Sequence, residues 1–289
     1  MKDRKIIALG NFDGVHIGHR KILHSASSYA DSLGLRSFVW TFSEVLRKGW
    51  FLTERDVKNE LICQCGIGRI LYEEFDNVRD LSPYEFVVHI LKKELRADAV
   101  FCGENYSFGK NGAGTAEELE KICSEQGIDV FVVPLERIDG EVVSSTAIRG
   151  MLSDGDVKRA GLFLGYDYKL RAVVESGKRI GREIGFPTIN QRIGRNMAFL
   201  RHGVYQTRTL FDGGVYKSVT NLGVRPTVGG DYESVETHIL DCDIDLYGRF
   251  VDVEFLDFVR DEIKFDGLDD LKKQIQKDIE VRRTERVRS

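Results

Sequence analysis

The chain has few of the residues that secreted, disulfide-linked or membrane-spanning proteins need. It contains 5 cysteines and 4 prolines in 289 residues. The cysteines are scattered and odd in number, and Cys63 and Cys65 form the only close pair, so we expect reduced, mostly buried thiols rather than disulfides or a zinc site. We find no apolar run long enough to cross a bilayer and no signal peptide, and we therefore predict a cytoplasmic protein.

Charge of one sign is also scarce. The net charge is −4, from 42 basic and 46 acidic residues, and neither sign forms a long block. This pattern argues against nucleic acid or a membrane surface as the partner, so we expect small-molecule partners and a monomer or weak oligomer. With 42% apolar residues, the chain is long enough to form two hydrophobic cores.

The first half of the chain alternates strand and helix patterns. Apolar runs predict five strands, at 5–9, 37–41, 68–72, 99–102 and 130–134, and helical patterns lie between them at 21–33, 53–65, 83–95 and 116–126. Short connections between alternating strands and helices predict an α/β domain with a parallel, Rossmann-like sheet. Ligands of such sheets bind beyond the carboxyl ends of the strands.

The second half changes to a period of two residues. Segments 168–175 and 251–255 alternate between apolar and polar, and Asp212-Gly213-Gly214 is a typical hairpin turn. Segment 266–283 carries its apolar residues on one helical stripe. We therefore predict an antiparallel β-barrel with a terminal helix. The predicted domains are 1–155 and 166–289, joined by a connecting helix at 156–165.

The strongest chemical signal is the decapeptide Gly10-Asn11-Phe12-Asp13-Gly14-Val15-His16-Ile17-Gly18-His19, which follows a predicted strand and opens a predicted helix. A glycine-rich turn at a helix start binds anions, because backbone N–H groups are exposed at the positive end of the helix dipole. Two histidines three residues apart can both face a bound phosphate. The letters His-Ile-Gly-His match the signature of enzymes that attack the α-phosphate of ATP, so we expect nucleotidyl transfer rather than ordinary polar surface.

A second glycine-rich stretch, 101–114, lies at a predicted strand end. It is either a flexible surface loop or a loop that lets Asn105 and backbone groups approach a ligand closely. The residues alone leave both interpretations open.

Hydroxyl side chains cluster at Ser144, Ser145 and Thr146, just before a short predicted helix that carries Arg149. Such residues usually cap helices. Three hydroxyls in a row with an arginine one turn later also suit phosphates, since arginine can neutralise the charge on departing pyrophosphate.

The segment from Gly181 to Asn190 contains Pro187, which disfavours a central strand, so we predict a loop or an edge strand here. Thr188 and Asn190 are two residues apart, and in an extended chain they point to the same side. A hydroxyl and an amide oxygen suit Mg²⁺, although both residue types are also common in turns.

In order and from end to end, these motifs resemble those of the prokaryotic bifunctional riboflavin kinase/FAD synthetase family. The decapeptide is similar to the family's adenylyltransferase signature, 103–109 to its second nucleotide loop, and 144–149 to its phosphate-binding element. Segment 185–190 is similar to the riboflavin kinase signature. Later kinase segments resemble 221–227, 235–238 and 245–248.

The resemblance implies two reactions that use ATP and Mg²⁺. In the C-terminal domain riboflavin would be phosphorylated to FMN, with Thr188 and Asn190 holding Mg²⁺ and Glu236 acting as the base. Without the resemblance, Glu236 would be an ordinary exposed strand carboxylate. In the N-terminal domain FMN would attack a second ATP, giving FAD and pyrophosphate.

The resemblance also assigns the remaining site residues. His16 and His19 would stabilise the transition state of adenylyl transfer by hydrogen bonds and partial positive charge, with Asn105 and Arg149 assisting. The nucleotide-binding residues would be Gly10, Asn11, Phe12, Asp13, Gly14, Gly18, Ser144, Ser145 and Thr146 in the first domain, and Gly181, Gly185 and Pro187 in the second.

One segment departs from the family pattern. After the second strand the family carries a Phe-x-Pro-His-Pro-like flap, whereas 41–50 contains neither proline nor histidine. We expect a looser flavin pocket, because proline restricts chain entropy. Two alternatives stay open: a riboflavin kinase with weak or altered adenylyl transfer, and a protein that senses flavin or nucleotide without turnover. A class I aminoacyl-tRNA synthetase is disfavoured, since no Lys-Met-Ser-Lys-Ser-like loop is present.

Overall fold

The chain folds into two compact units. The computed structural model describes residues 4–43, 50–177, 180–194, 196–225, 232–242, 244–265 and 267–284. One unit consists of Met1–Gly49 and Arg55–Ala147, and the other of Trp50–Glu54 and Ile148–Ser289. The domain boundaries at 155 and 165 stay a prediction.

The first unit is built on a five-stranded parallel sheet in the order β3-β2-β1-β4-β5. This confirms the predicted Rossmann-like sheet. The strands are β1 (Lys5–Leu9), β2 (Ser37–Phe42), β3 (Arg69–Glu73), β4 (Ala97–Gly103) and β5 (Asp129–Val133). The helices are α1 (Ile17–Ser32), α2 (Arg55–Gln64), α3 (Phe75–Val78), α4 (Pro83–Glu85) and α5 (Ala116–Glu125).

The strand order places a ligand crevice beside β1. The chain adds β2 and β3 on one side of β1 and then β4 and β5 on the other side. Ile6, Ile7 and Ala8 of β1 are completely buried, as expected for the central strand of a covered sheet. Because α1 begins shortly after β1 ends, its N-terminus lies at the carboxyl edge, where open α/β sheets bind their ligands.

The helix predicted at 83–95 has two different windings. Ser82 caps it: its hydroxyl accepts a hydrogen bond from the Glu85 N–H, and the Glu85 carboxylate accepts one from the Ser82 N–H. After α4 the chain continues as a π-helix, Phe86–Glu94. Apolar spacing alone does not reveal this wider winding. Sequence analysis also missed α3, a 3₁₀ turn at Lys110–Gly112 and a small hairpin of β6 (Arg137–Ile138) and β7 (Glu141–Val142).

The second unit contains a closed antiparallel barrel in the order β10-β11-β12-β9-β8-β13. This confirms the predicted barrel. Its strands are β8 (Lys169–Glu175), β9 (Ile189–Arg192), β10 (Gly203–Phe211), β11 (Gly214–Arg225), β12 (Tyr232–Ile239) and β13 (Phe250–Arg260). The later helices of the chain are α6 (Ser145–Asp154), α7 (Val157–Leu164), α8 (Ile180–Glu183) and the terminal α9 (Leu268–Thr284).

The loop predicted around Pro187 is confirmed for 184–188, and the expectation for segment 181–190 is wrong at Ile189 and Asn190, which begin strand β9. It is hydrogen-bonded to β12 on one side and to β8 on the other, within the closed barrel. Pro187 precedes the first residue of β9, Ile189, and so its missing N–H leaves no gap in the ladder. The proline therefore marks the entrance to a central strand.

Hydrogen-bonded hydroxyls fill part of the barrel interior. Thr207 Oγ1 lies 2.8 Å from both Ser218 Oγ and Thr220 Oγ1, and Thr220 Oγ1 lies 2.9 Å from Thr237 Oγ1. All four side chains are completely buried. Because these buried polar atoms are paired with one another, the network favours a single register for β10, β11 and β12.

Candidate active sites

The decapeptide forms a strained turn between β1 and α1. Three residues have positive φ angles: Phe12 (51°), Gly14 (78°) and Val15 (35°). Glycine adopts such angles freely, whereas other residues do so at a cost of about 1–3 kcal/mol each. Phe12 and Val15 are completely buried, and Asp13 is 4% exposed. Burial of the two apolar side chains therefore holds the turn in a conformation that its residue types would not adopt alone.

Two imidazoles stack at the start of α1. His16 is the N-cap, and its Nδ1 accepts a hydrogen bond from the His19 backbone N–H at 3.3 Å. The two ring centroids are 3.6 Å apart and the rings are inclined by 17°. A methyl group at Gly18 would lie 3.3 Å from His16 Nδ1, so glycine leaves room for this ring. Since Nδ1 accepts, the proton of a neutral His16 is on Nε2, where it is available to a ligand.

Burial keeps both histidines uncharged near neutral pH. It lowers the pKa of His16 from its usual 6.5 to about 4. The pKa of His19 lies well below its usual value, first through burial and then through the charges of His16 and Lys58. The Nδ1 atom of His19 has no hydrogen-bond partner among the described residues. Neutral rings can donate hydrogen bonds to phosphate, but they carry no net positive charge, which the resemblance had led us to expect.

The hydroxyl cluster adjoins the same turn. Ser145 Oγ donates a hydrogen bond to the Asp13 carbonyl oxygen at 2.9 Å. Ser144 Oγ accepts one from the Ala147 N–H at 3.2 Å and so caps α6, while Thr146 is exposed in the first turn of that helix. The N-termini of α1 and α6 therefore both lie at the decapeptide, which concentrates positive helix-dipole ends at one place.

Asn105 lies beside α1. It is exposed in a turn after β4, which the Tyr106 N–H closes by donating to the Gly103 carbonyl oxygen at 2.9 Å. A methyl group at Gly103 would lie 3.1 Å from Asn105 Oδ1 and 3.4 Å from Ile22 Cδ1. Glycine at 103 leaves room for this close approach, which agrees with the interpretation of the stretch as a ligand loop.

Arg149 follows one turn after Ser145 on α6. Its Nε donates a hydrogen bond to the Trp50 carbonyl oxygen at 2.7 Å. The role of Arg149 at a phosphate stays a prediction.

The second site is a row of polar side chains across three barrel strands. In the strand register, Glu236 of β12 lies opposite Asn190 of β9 and opposite Asn221 of β11. Directly opposed residues point to the same face of a sheet. The pairing therefore brings one carboxylate and two amides together from positions far apart in the sequence.

Two cavities adjoin this row. The larger, about 440 Å³, is lined by Asn190, Asn221 and Glu236, by apolar residues such as Ile184 and Phe186, and by Leu271 and Ile275 of α9. The smaller, about 70 Å³, is lined by residues of β9, of the end of β12 and of 244–247. Thr188 and Asn190 line both cavities. A group held by these two side chains could therefore act on molecules in either cavity.

Asn190 fits a role as a metal ligand. It is 9% exposed, and its Oδ1 atom is buried without a hydrogen-bond partner in the described part of the chain. An unsatisfied buried amide oxygen costs free energy that a bound cation would recover. A methyl group at Gly177 would lie 2.4 Å from Asn190 Nδ2, so only glycine at 177 allows this side chain its position.

The predicted nucleotide residues of the second unit form a tight loop. The Phe186 N–H donates to the Gly181 carbonyl oxygen at 2.7 Å, and a methyl group at Gly181 would lie 2.4 Å from the Phe186 carbonyl oxygen. Gly185 has φ of +87°. His238 Nδ1 donates to the Pro187 carbonyl oxygen at 2.8 Å and fixes the loop against β12. The loop places Thr188 at the wall of both cavities.

Comparison with known proteins agrees with this arrangement of two sites. Family models match the chain as FAD synthetase over residues 1–147 and as riboflavin kinase over residues 164–285. The bifunctional riboflavin kinase/FMN adenylyltransferase of Listeria monocytogenes is 32% identical over 95% of this chain and 90% of its own length. The Escherichia coli enzyme of the same name is 33% identical over 94% and 90%, respectively. The chain belongs to the bifunctional riboflavin kinase/FMN adenylyltransferase family.

A crystal structure from Streptococcus pneumoniae has the same two-unit fold as this member of the family. It is described as a macrolide-efflux protein, is 29% identical, covers 99% of this chain and 96% of that one, and has a TM-score of 0.88. That description differs from the names of the curated relatives. The two family models match this chain directly, and they agree with the names of the curated relatives.

Within the described residues, no helix is long and apolar enough to cross a membrane.

The structure describes only part of segment 41–50, which departs from the family pattern. Residues 44–49 lie outside the described residues, and the looser flavin pocket stays a prediction. Thr41 is completely buried at the end of β2.

Sequence analysis assigned no role to two residues that the structure places at the sites. One is His238, which was part of a matching segment and supports the Pro187 loop. The other is Lys58, whose burial on α2 has no sequence signal, because a lysine in an amphipathic helix normally faces water.

Proposed function

We propose that this chain converts riboflavin to FMN in its second unit and FMN to FAD in its first. The observation that carries the proposal is that the chain matches both family models, FAD synthetase over 1–147 and riboflavin kinase over 164–285, and folds into two compact units. Glu236 serves the kinase site, and the decapeptide turn serves the adenylyltransferase site.

In the kinase reaction, Glu236 accepts the proton of the 5′-hydroxyl of riboflavin. The hydroxyl oxygen forms a bond to the γ-phosphorus of ATP, the bond from this phosphorus to the bridging oxygen breaks, and ADP leaves with the electron pair. The larger, partly apolar cavity suits the flavin ring. Thr188 and Asn190 border this cavity and the smaller one beside it, so that a phosphate held by these two side chains can meet the flavin.

Thr188 and Asn190 are the residues that would hold Mg²⁺. The unsatisfied Oδ1 of Asn190 supports this assignment. When bound, Mg²⁺ neutralises charge on the phosphate oxygens of ATP. Gly177 and the Gly181–Phe186 loop keep the two side chains in place.

In the adenylyl-transfer reaction, a phosphate oxygen of FMN forms a bond to the α-phosphorus of ATP, and pyrophosphate leaves with the electrons of the broken bond. His16 donates its Nε2–H to the pentacoordinate phosphorus group, and His19 lies stacked beside it. The N-termini of α1 and α6 face the accumulating negative charge. Asn105 and Arg149 assist the departure of pyrophosphate.

We also propose a cytoplasmic monomer or weak oligomer whose ligands are small molecules. Its domains would be 1–155 and 166–289 with the connector 156–165. The net charge of −4 without single-sign blocks supports the choice of small-molecule ligands.

A product assay tests the proposed function. The purified full chain is incubated with riboflavin, ATP and MgCl₂, and FMN and FAD are separated by chromatography over time. We expect FMN first and FAD after it. FMN alone would overturn the adenylyltransferase half and favour a kinase with altered adenylyl transfer. If neither FMN nor FAD forms, both halves of the proposal are overturned.

A further inference from the structure

A buried lysine lies next to the decapeptide turn. Lys58 of α2 is 8% exposed, and its Nζ donates a hydrogen bond to Thr41 Oγ1 at 2.9 Å. Thr41 Oγ1 in turn donates to the Asn11 carbonyl oxygen at 3.0 Å. The ammonium group is therefore two hydrogen bonds away from the backbone of the turn that carries His16 and His19.

The positive charge of Lys58 is incompletely satisfied within the protein. An ammonium group has three N–H donors, and the bond to Thr41 is the one hydrogen bond that the described residues provide. Nζ also lies 5.5 Å from the ring centroid of Tyr72, whose face Arg55 shares at 4.2 Å. Asp13 is the nearby opposite charge, but no ion pair within 4 Å joins it to Lys58 in the described part of the chain. Two donors remain for a ligand.

Burying a cation without a paired carboxylate costs several kcal/mol, so its presence at a site needs a reason. Burial lowers the pKa of Lys58 to about 8, with Asp13 opposing this shift and Arg55 adding to it. Lys58 thus remains mostly charged at neutral pH, whereas His16 and His19 are neutral. Within the described residues around the turn, Lys58 is the buried cation that can offset the charge of a phosphate.

The strand order indicates which phosphate Lys58 meets. The proposed nucleotide elements, with Asn105 and Ser145, follow β4 and β5 on one side of β1. Lys58 contacts Thr41 of β2 and Tyr72 of β3, on the other side. The molecule that attacks ATP has to approach from the side opposite to the departing pyrophosphate, which is the side of β2 and β3.

We propose that Lys58 binds the phosphate monoester of the adenylyl acceptor, FMN. The inference rests on the adenylyl transfer proposed above. Two N–H groups of Lys58 donate to nonbridging oxygens of the FMN phosphate, while another oxygen of that phosphate forms the bond to the α-phosphorus. Lys58 keeps its proton throughout and reduces the repulsion between the FMN dianion and the triphosphate.

Two substitutions at this position test the proposal in the full-length chain. Lys58→Met keeps the length and packing of the side chain and removes its charge, and Lys58→Arg keeps the charge. Lys93→Met removes an exposed lysine from the same unit and is the matched control. We expect kcat/KM for FMN to fall about 10- to 100-fold in Lys58→Met, the loss typical of one charged hydrogen-bonding group. The KM for ATP and the kinase activity should change little, which verifies folding.

The pH profile provides a second readout that a merely structural lysine would not change. Above pH 7 the FMN phosphate is already a dianion. In the wild type, kcat/KM for FMN should therefore fall above a pH of about 8, where Lys58 loses its proton, because kcat/KM reports groups of the free enzyme. In Lys58→Arg the fall should move to higher pH, because arginine stays charged.

The outcomes separate this inference from the proposed function. If the wild type makes no FAD from FMN, the adenylyltransferase function fails and this inference fails with it. If the wild type makes FAD and Lys58→Met retains its kcat/KM for FMN, only the role of Lys58 is overturned. Should Lys58→Met not fold, identical pH profiles for the wild type and Lys58→Arg would overturn that role.

Discussion

The two sites of this chain handle phosphate by different means. In the first unit the proposed binding groups are helix N-termini and neutral rings on a turn with three positive φ angles. In the second unit strand register brings together the proposed Mg²⁺ ligand Asn190 and the proposed base Glu236, with Asn221 beside them. A turn of the first kind depends on local burial, and a row of the second kind depends on pairing across a barrel. Each site should therefore be breakable without harming the other.

Buried charge also differs between the units. Asp252 in the barrel is paired with Arg171 at 2.5 Å and with Lys169 at 3.3 Å. Although burial alone would raise its pKa, these two cations hold the pKa of Asp252 below its usual value. Lys58 in the first unit has no such partner among the described residues. The barrel therefore satisfies the buried charge of Asp252 internally, whereas the charge of Lys58 is the one that we propose to meet a ligand.

The largest effect should come from Glu236→Gln. Loss of the base should slow FMN formation by about 10²- to 10⁴-fold, while adenylylation of supplied FMN continues. Chromatographic assays with riboflavin and with FMN as separate substrates measure this. Glu233→Gln, on the same strand, is the matched control and should keep kinase activity. Equal kinase rates in both variants would remove Glu236 from the mechanism.

His19→Ala should impair FAD synthesis and leave FMN formation intact. It removes one ring of the stacked pair, and FAD synthesis from FMN should fall about 10²- to 10³-fold, as for a lost transition-state hydrogen bond. His24→Ala on the same helix is the control, because His24 is exposed. Unchanged FAD synthesis in His19→Ala would show that the decapeptide does not carry this chemistry.

Acid should destabilise the first unit through His16. Its pKa is about 4 in the folded chain and 6.5 when unperturbed, so between these values the unfolded state binds more protons and stability falls as pH falls. The full shift corresponds to about 3 kcal/mol of unfolding free energy.

Denaturation can be followed at several pH values through Trp40 fluorescence. Trp50→Phe is included in the background because Trp40 and Trp50 are the two tryptophans of the chain. His16→Asn keeps an N-cap acceptor that does not titrate, and it should flatten the pH dependence. A slope equal to that of the unsubstituted histidine would contradict the assignment.

Gly177→Ala should have the smallest effect, confined to the kinase site. A methyl group there would lie 2.4 Å from Asn190 Nδ2 and would displace the side chain assigned to Mg²⁺. We expect an increase in the Mg²⁺ concentration for half-maximal kinase activity and a loss in kcat of about 10- to 100-fold. Gly267→Ala, where a methyl group meets open space, is the control. A Mg²⁺ dependence equal to that of the control would exclude Asn190 as a ligand.

The sequence was sufficient to predict the architecture because buried apolar residues recur at the period of the strand or helix that carries them. Runs such as Ile6–Leu9 and the alternation from 168 to 175 predict strands of different kinds, and Asp212-Gly213 predicts the hairpin, with φ angles of 50° and 74° in the structure. The catalytic motifs were visible because glycines and histidines are concentrated in short segments. Such signals are local, and the corresponding predictions were accurate to within a few residues.

What the sequence did not show depends on tertiary environment. Pro187 correctly predicted a loop at its own position, but nothing in the sequence showed that β9, which begins two residues later, is a central strand. The two histidines suggested positive charge, yet their burial, which spacing does not encode, keeps them neutral. Nothing in the sequence marks Lys58 as buried, because a lysine in an amphipathic helix normally faces water. The row of Asn190, Glu236 and Asn221 exists only through strand register, which no single segment determines.

Complementation between two inactive variants tests the central claim, that one chain carries two separable sites, most directly. Glu236→Gln and His19→Ala are each incubated with riboflavin, ATP and MgCl₂, and then mixed. We predict that neither alone forms appreciable FAD and that the mixture does, because FMN made by His19→Ala is used by Glu236→Gln. FAD formation by either variant alone, or its absence from the mixture, would contradict the account.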